Sequence, residues 1–444
     1  MTSRDRRRAV GLVVAATVAL GGCTAADEPD AGASGSTAST TPSGDAGDTS
    51  SDRASEAATA VSDVLRTRDR ATLAGDRAAF AATVAHPDGA TAGADDGGSD
   101  GDGDADHDEG SRQLAAFDAA GRLGLSRLEH DVVAPVDDPA AVDVTLRYRV
   151  DGIDRGDRTA TVRYRVVEQD GRWLVAAQQP VAPGAAPPWL AMPDLAVRRS
   201  DHAVVVGTAD TPALAAAART VDDVLPRLAR QWQRTPGRTL VLLPATPAEA
   251  DALTGAPSGA PGTVAALTDG PLDDTGRATG DRVVLDPDAQ ARLTAVGRDV
   301  VLAHELVHVA VRATVPGTPP LWLSEGYADH VGYGRADLPQ RTLAAPLLDA
   351  VRAGTGPDAI PTADALDPQA GPIETGYLAA WQVAETVVDL AGEEGLRALV
   401  RACASTDGEA AAEETCDGAM PRVLGTDRDG LTRRWLERLD RLAR

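Results

Sequence analysis

The chain has 444 residues, which is enough for two domains and the segments that join them. It contains 43 Arg, no Lys and 67 acidic residues, and its formal net charge is −24. This charge argues against nucleic acid as a partner and against a purely electrostatic hold on anionic lipid. The absence of Lys also excludes Schiff-base chemistry and Lys nucleophiles.

The N-terminus is typical of a secretory signal peptide, which we assign to residues 1–22. Four Arg between positions 4 and 8 precede a short apolar run, residues 9–20, that is too short to span a bilayer. The sequence Leu20-Gly21-Gly22-Cys23 resembles a bacterial lipobox. This resemblance implies a lipid on Cys23 and a lipoprotein on the outer face of the cytoplasmic membrane. An ordinary signal peptide that ends near a Cys is the alternative.

Two segments have compositions typical of disorder. Residues 23–57 are almost free of bulky apolar side chains and are predicted to form a flexible tether. Residues 88–110 contain nine acidic residues and seven Gly. A calcium loop starting at Asp100 would need Gly at position 105 and Glu at position 111, where the chain has Ala105 and Ser111. We therefore predict an acidic disordered loop.

Residues 58–181 are predicted to form a small α+β domain. Apolar residues recur at helical spacing over 58–84, and strand-like alternation follows at 142–148 and 160–167. Asp170-Gly171 indicates a hairpin to a further strand, 172–175. This order resembles the NTF2-like fold. No paired carboxylates or His stand out there, so we interpret the domain as a binding or spacer module.

A Pro-rich linker, residues 182–193, leads into the C-terminal domain, residues 194–444. This domain is predicted to combine a short sheet and a central helix with a later helical lobe. The predicted strands are 203–207, 238–243, 263–267 and 282–285, and the predicted helices include 211–232, 247–254, 378–390, 394–403 and 431–442. We expect 263–267 to be an edge strand that could pair with a peptide, with an interior position as the alternative.

The motif His304-Glu305-Leu306-Val307-His308 lies in an apolar helical run. Residues four apart share one helix face, so both imidazoles can bind one metal ion while Glu305 lies beside a metal-bound water. With 7 His in the chain, about 0.004 chance occurrences are expected. A core helix with two satisfied His is the structural alternative.

A third ligand is available in the segment Trp322 to Asp329, which follows three prolines that break the first helix. Glu325 and Asp329 are four residues apart and share a face, so Glu325 could bind the metal while Asp329 accepts the outer N–H of a ligating His. A His ligand of the HExxHxxGxxH pattern is absent, because positions 311 and 314 are Val and Thr.

Together, HELVH and WLSEGYAD resemble the gluzincin metallopeptidases. The resemblance implies a zincin-like domain with one Zn²⁺ bound by His304, His308 and Glu325. It also implies that Glu305 is the general base and that Asp329 accepts a hydrogen bond from the outer N–H of a ligating His.

A donor to the developing oxyanion completes such a site. Tyr377, at the head of a helix, is the preferred candidate because family members often carry such a Tyr, and His330 beside Asp329 is the alternative. Tyr327 and Tyr333 are expected to pack in the core.

The three Cys fit an exported protein. With Cys23 used by lipid, Cys403 and Cys416 remain as a pair in an oxidising compartment. We predict a disulfide that closes an acidic loop, residues 407–414.

The expected function is a monomeric, membrane-anchored, extracytoplasmic zinc peptidase acting on peptides or proteins. It would contact the membrane only through its lipid. A catalytically silent zincin-fold binding lipoprotein is the alternative, although structural zinc sites usually have four protein ligands, often including Cys, and only three ligands are visible here. A hydrolase of non-peptide amides in the cell envelope is a third possibility.

Overall fold

The computed structural model describes residues 16–18, 48–85, 103–135, 141–181, 184–208, 211–232, 235–255, 265–367 and 374–444. Within these ranges the chain mixes helices with two separate sheets, in agreement with the predicted α+β class. None of the described helices is both long enough and apolar enough to cross a bilayer.

The strands are β1 (Ala16–Val18), β2 (Leu125–Pro135), β3 (Ala141–Val150), β4 (Arg158–Gln169), β5 (Arg172–Pro180), β6 (Ala196–Arg199), β7 (Ala203–Gly207), β8 (Thr239–Leu243), β9 (Ala266–Asp269) and β10 (Arg282–Leu285). The helices are α1 (Asp48–Ala74), α2 (Arg77–Ala81), α3 (Gly103–Leu123), α4 (Pro188–Ala191), α5 (Pro212–Gln231), α6 (Pro247–Thr254), α7 (Pro287–Arg292), α8 (Ala295–Thr314), α9 (Leu321–Tyr333), α10 (Gln340–Leu343), α11 (Ala345–Arg352), α12 (Glu374–Ala402), α13 (Glu409–Leu424) and α14 (Arg428–Ala443).

The N-terminal module is an antiparallel sheet, in the order β2-β3-β4-β5, packed against α1 and α3. Side chains of β3 alternate between buried and partly exposed, as expected for a sheet with one face in a core. The predicted hairpin joins β4 to β5, with positive φ at both Asp170 (53°) and Gly171 (71°). Two successive positive φ angles are what a type I′ hairpin turn requires, which is why the Asp-Gly pair identified it.

Helices extend into both of the segments that were predicted to be disordered. Helix α1 begins at Asp48, inside the predicted tether 23–57. The acidic segment 88–110 is described only from residue 103, and there it is helical, because α3 begins at Gly103. Glu109 forms an ion pair of 3.3 Å with Arg112 one turn later and also accepts a hydrogen bond from the Gln178 backbone N–H. These contacts stabilise a helix where composition alone indicated a loop.

The second sheet has the order β1-β9-β10-β8-β7-β6. Strands β7, β8 and β10 run parallel, whereas β6 and β9 are antiparallel to their neighbours β7 and β10. The predicted strand 263–267 corresponds to β9, which starts at Ala266. It pairs with β10 on one side and with β1 on the other. It is therefore interior in the described chain and outermost only among the strands of residues 194–444.

The two faces of this sheet belong to different cores. Val205 and Val241 face a core that contains helices α5 and α8, whereas their neighbours Val204 and Leu240 face a core shared with the N-terminal module. The Pro-rich linker contributes a side chain to the core that is shared with the N-terminal module. Trp189 of α4 is buried there, with its ring 4.9 Å from that of Tyr148. The N-terminal module therefore forms a layer against the back of the second sheet.

Candidate metal centre

Helix α8 carries the first two candidate ligands through the middle of the C-terminal core. The Thr294 hydroxyl caps its start by accepting from the Gly297 N–H at 3.1 Å. Residues 300–311 are all buried, because the helix lies between the sheet and helices α5 and α9. The spacing of four places His304 and His308 on the face turned towards α9.

Helix α9 approaches this face and brings in the third candidate ligand. Pro320 precedes its first residue and Glu325 lies one turn inside. The helix also packs closely on α12, since a Cβ at Gly326 would lie only 2.4 Å from the carbonyl oxygen of Ala380. Only glycine permits this approach, and it brings the N-terminal turns of α12 next to Glu325.

The three candidate ligands converge as the sequence predicts. One ligand atom from each of His304, His308 and Glu325 lies within 4.8 Å of the other two, and all three residues are buried. The His304 Nε2 atom lies 3.1 Å from His308 Nε2 and 3.1 Å from Glu325 Oε2, and His308 Nε2 lies 3.6 Å from Glu325 Oε1. Ligands at 2.0–2.1 Å around a tetrahedral zinc ion would be separated by about 3.3 Å. The spacing thus fits one small cation.

Asp329 orients His304 from behind. Its Oδ1 atom lies 2.8 Å from His304 Nδ1, so a proton on Nδ1 is donated to the carboxylate and the Nε2 lone pair is left for a cation. Behind His308, the Ser324 hydroxyl lies 3.5 Å from Nδ1, which is too long for a strong hydrogen bond.

The three buried carboxylates of the cluster also favour binding of a cation. Glu305, Glu325 and Asp329 are 0 % exposed, and no Arg of the described chain forms an ion pair with any of them. One oxygen of each carboxylate has no hydrogen-bond partner among the described residues. Since an unpaired buried carboxylate is costly, the residues present fit a divalent ion.

Burial and the close approach of these ionisable groups shift their pKa values. Burial alone would raise the pKa of Glu325, but the two imidazoles that contact it lower that pKa to about 2. Asp329 contacts only one imidazole, and burial raises its pKa to about 6. Burial would lower the pKa of His304, yet its hydrogen bonds to Asp329 and Glu325 raise it well above the usual value.

Glu305 lies beside the ligands and is directed towards strand β9. Its Oε2 atom accepts a hydrogen bond of 2.5 Å from the Thr268 hydroxyl, while Oε1 has no partner among the described residues. Burial raises the pKa of the carboxyl group. A general base needs such a raised pKa and a free oxygen.

The two candidate oxyanion donors have different surroundings. Both ring nitrogens of His330 contact carboxylates of α12, Nδ1 with Glu385 at 2.6 Å and Nε2 with Glu393 at 2.9 Å. Tyr377 lies in the first turn of α12 and is buried. Burial raises the pKa of its hydroxyl, and the negative charges of Glu325 and Asp329 raise it further. The Tyr377 hydroxyl therefore lies within electrostatic range of the carboxylates of the cluster.

Contacts confirm that Tyr327 and Tyr333 pack in the core and that two of the cysteines form a disulfide. Tyr327 is buried and accepts a hydrogen bond of 2.9 Å from the Trp232 indole, and the Tyr333 ring packs 4.5 Å from that of Trp381. Cys403 and Cys416 form a disulfide between the end of α12 and α13. The prediction of an acidic loop over residues 407–414 is wrong, because helix α13 begins at Glu409. Cys23 lies outside the described residues.

Sequence reasoning missed the groups that hold β9 against the site. Arg312, one turn after His308, forms a buried ion pair of 2.9 Å with Asp281 and donates to the Gly270 carbonyl. Arg158 of the N-terminal module donates to the Asp269 carbonyl at 3.1 Å. Arg312 could have been suspected, because it interrupts an apolar helix face four residues after a ligand. Thr268 and Arg158 carry no comparable local pattern.

The sequence was also compared with models of known protein families and with curated proteins, and neither comparison finds a match.

Proposed function

We propose that this protein is a zinc-dependent peptidase of the gluzincin type. The observation that carries the proposal is the convergence of His304, His308 and Glu325 within 4.8 Å of one another, in a buried setting with Glu305 alongside. Two imidazoles and one carboxylate form a donor set that zinc prefers, and three protein ligands leave a fourth position for water or substrate.

A zinc ion bound here would polarise the scissile carbonyl group and lower the pKa of a coordinated water towards about 7. Glu305 then takes the proton of the attacking water on its free Oε1 and transfers it to the leaving amine. Thr268 keeps the other oxygen occupied, so it fixes the direction of the carboxylate. Tyr377 donates its hydroxyl hydrogen to the carbonyl oxygen as negative charge develops there.

The substrate class proposed is an extended peptide. Strand β9 presents Thr268 to Glu305, so a chain paired with β9 would pass beside the general base. In the described chain the outer edge of β9 is paired with β1, which belongs to the proposed signal peptide. Cleavage before Cys23 would remove β1 and free this edge.

The complete burial of the cluster favours a second candidate function. A metal site whose ligands are 0–2 % exposed also suits a catalytically silent binding lipoprotein, in which the ion only stabilises the fold. Such a site does not need a base with a free oxygen. Cleavage by the zinc-bound wild type, and its loss in a Glu305 variant, separates the two functions.

The test uses wild type, Glu305→Gln and Glu394→Gln, whose side chain in the wild type is 78 % exposed. Zinc content is measured by elemental analysis and cleavage is measured on a peptide library. We expect one zinc per chain in all three proteins and a loss of about 100- to 10,000-fold in turnover for Glu305→Gln alone. Retained cleavage by Glu305→Gln would refute the assignment of the base. Wild-type protein that binds zinc but cleaves nothing would favour the silent lipoprotein.

The proposed location is the extracytoplasmic face of the cell membrane, with the protein anchored through a lipid on Cys23. Metabolic labelling with a fatty-acid analogue should mark the wild type and leave Cys23→Ala unlabelled and released from membranes. Equal labelling of both proteins would exclude Cys23 as the attachment site.

A further inference from the structure

Residues 403–416, here called the disulfide-closed segment, run from the end of α12 into α13. The bond between Cys403 and Cys416 closes them, and both cysteines are 0 % exposed. A bond of this kind restricts the conformations open to the residues between the bridged positions. The segment contacts the connection between α8 and α9, the two helices that carry the candidate metal ligands.

The first contact joins two stretches of backbone. Ser405 and Thr318 exchange two hydrogen bonds of 2.9 Å, each from the N–H of one residue to the carbonyl oxygen of the other. A Cβ at Gly317 would lie too close to the Ser405 carbonyl group, and the φ of +78° at this position also favours glycine. The connection between α8 and α9 is therefore held against the residues that follow α12.

The second contact lies at the N-terminus of α9. The N-cap residue of this helix is Pro320, whose side chain makes no capping hydrogen bond, so the N–H of Leu321 requires another acceptor. Glu409 supplies it, because its two carboxylate oxygens lie 2.9 and 3.2 Å from the Leu321 nitrogen. A carboxylate at this end also interacts favourably with the helix dipole.

Glu413 adds a weaker contact one turn further along α13. Its Oε2 atom accepts a hydrogen bond of 3.4 Å from the Trp322 indole, and Arg428 of α14 forms an ion pair with the same carboxylate. Glu325 follows Trp322 by three residues on the same helix. Because an α-helix is a regular and stiff element, a displacement of the first turn of α9 would move Glu325 relative to the two imidazoles on α8.

We propose that the disulfide-closed segment fixes the position of Glu325 relative to His304 and His308, and that Glu409 is the positioning residue at its contact with α9. This inference rests on the metal centre of the proposed function. Since His304 and Glu325 lie on different helices, their separation of 3.1 Å depends on how the start of α9 is held. Metal affinity then depends on residues that do not touch the ion.

The test measures zinc affinity of the folded protein by competition with a chelator of known affinity. Glu409→Ala removes the acceptor, Glu409→Gln keeps an oxygen acceptor without the charge, and Cys403→Ala/Cys416→Ala removes the disulfide. Glu414→Ala is the matched control, because Glu414 is exposed on the same helix. We expect zinc affinity to fall about tenfold in Glu409→Ala and in the double cysteine variant, to fall less in Glu409→Gln and to stay unchanged in Glu414→Ala.

Two further measurements separate positioning from a general loss of stability. The visible absorption of the Co²⁺-loaded protein reports the ligands and their geometry. We expect its bands to change in Glu409→Ala and the double cysteine variant and to match the wild type in Glu414→Ala. Leu65→Ala removes a buried side chain of the N-terminal module, so it should lower stability without a change in zinc affinity or in the Co²⁺ spectrum.

Hydrogen exchange of the metal-free proteins gives a readout that requires no ion. The backbone amides of residues 321–324 should exchange about threefold or more faster in Glu409→Ala and the double cysteine variant, while those of residues 300–311 in α8 stay unchanged. Unchanged exchange in both variants, or wild-type zinc affinity in both, would overturn the proposal. If the double cysteine variant fails to fold, Glu409→Ala still decides. Wild-type protein that binds no zinc would refute the proposed metal centre itself, and with it the role of the segment in metal binding.

Discussion

The contact between Asp329 and His304 makes a quantitative prediction about metal affinity. Asp329 Oδ1 lies 2.8 Å from His304 Nδ1, and both side chains are 0 % exposed. The carboxylate fixes the His304 tautomer and increases the basicity of Nε2, the atom directed at Glu325 and His308. Asp329→Asn keeps the shape of the side chain and removes its charge.

The expected effect is a zinc affinity about 10- to 100-fold lower than that of wild type. This range corresponds to about 1.4–2.7 kcal/mol, close to the value of a hydrogen bond to a charged group. The assay is a competition titration of the folded protein against a zinc chelator of known affinity. Asp349→Asn is the matched control, because the Asp349 side chain is 73 % exposed on α11.

An affinity of Asp329→Asn within about twofold of wild type would refute the reasoning, since the carboxylate would then not orient a ligand. An equal loss in Asp349→Asn would show that the effect is not local. Because the titration is made on folded protein, a change in global stability does not imitate either result.

Three further predictions concern stability and are measured by urea unfolding of the metal-free protein. Cys403→Ser removes a disulfide across a sequence separation of 13 residues. It should lower the free energy of unfolding by about 3 kcal/mol under oxidising conditions and by little under reducing conditions. An equal loss under both conditions would contradict a stabilising role for the bond. Gly326→Ala places a methyl group against the backbone of α12 and should lower the free energy of unfolding by about 1–3 kcal/mol. The control Gly418→Ala, where a new Cβ would have no atom within 4 Å, should instead stabilise α13 by up to about 1 kcal/mol. Equal effects of the two substitutions would argue against the close approach of α9 and α12. Burial would lower the pKa of His330, but its contacts with Glu385 raise that pKa above its usual value. The stability from this contact is therefore complete below the unfolded pKa of about 6.5 and is lost as pH rises through the folded pKa. The stability difference between wild type and His330→Gln should shrink as pH rises from about 6 to 9, and a difference that is constant or grows would contradict the contact.

The arrangement of layers places the N-terminal module and the candidate metal centre on opposite faces of the second sheet. The N-terminal module packs on the face to which Val204 and Leu240 contribute, and α8 packs on the other face. Arg158 reaches from the module to the end of β9, the strand that contacts Glu305 through Thr268. Truncation of the module would therefore expose one face of the sheet and release the end of β9.

The secondary structure around the site was predictable because its signals are local. Strands β7 and β10 and helix α6 have the predicted bounds, and β8 and α5 differ from theirs by no more than one residue at either end, since Gly and Pro mark the ends of these elements. The tether and the acidic segment were predicted less well. Their composition argued for disorder, whereas the helices that enter them gain stability from packing and side-chain contacts that composition does not contain.

The sequence by itself determined the candidate ligands and base. A spacing of four on a helix fixes a shared face before any tertiary contact forms, so His304 and His308, and separately Glu325 and Asp329, were identified from their positions alone. Only the tertiary structure decided which groups surround them. Thr268, Arg312 and Arg158 reach the neighbourhood of the site through contacts between residues 31 to 111 positions apart, and such long-range contacts leave no periodic pattern in the chain.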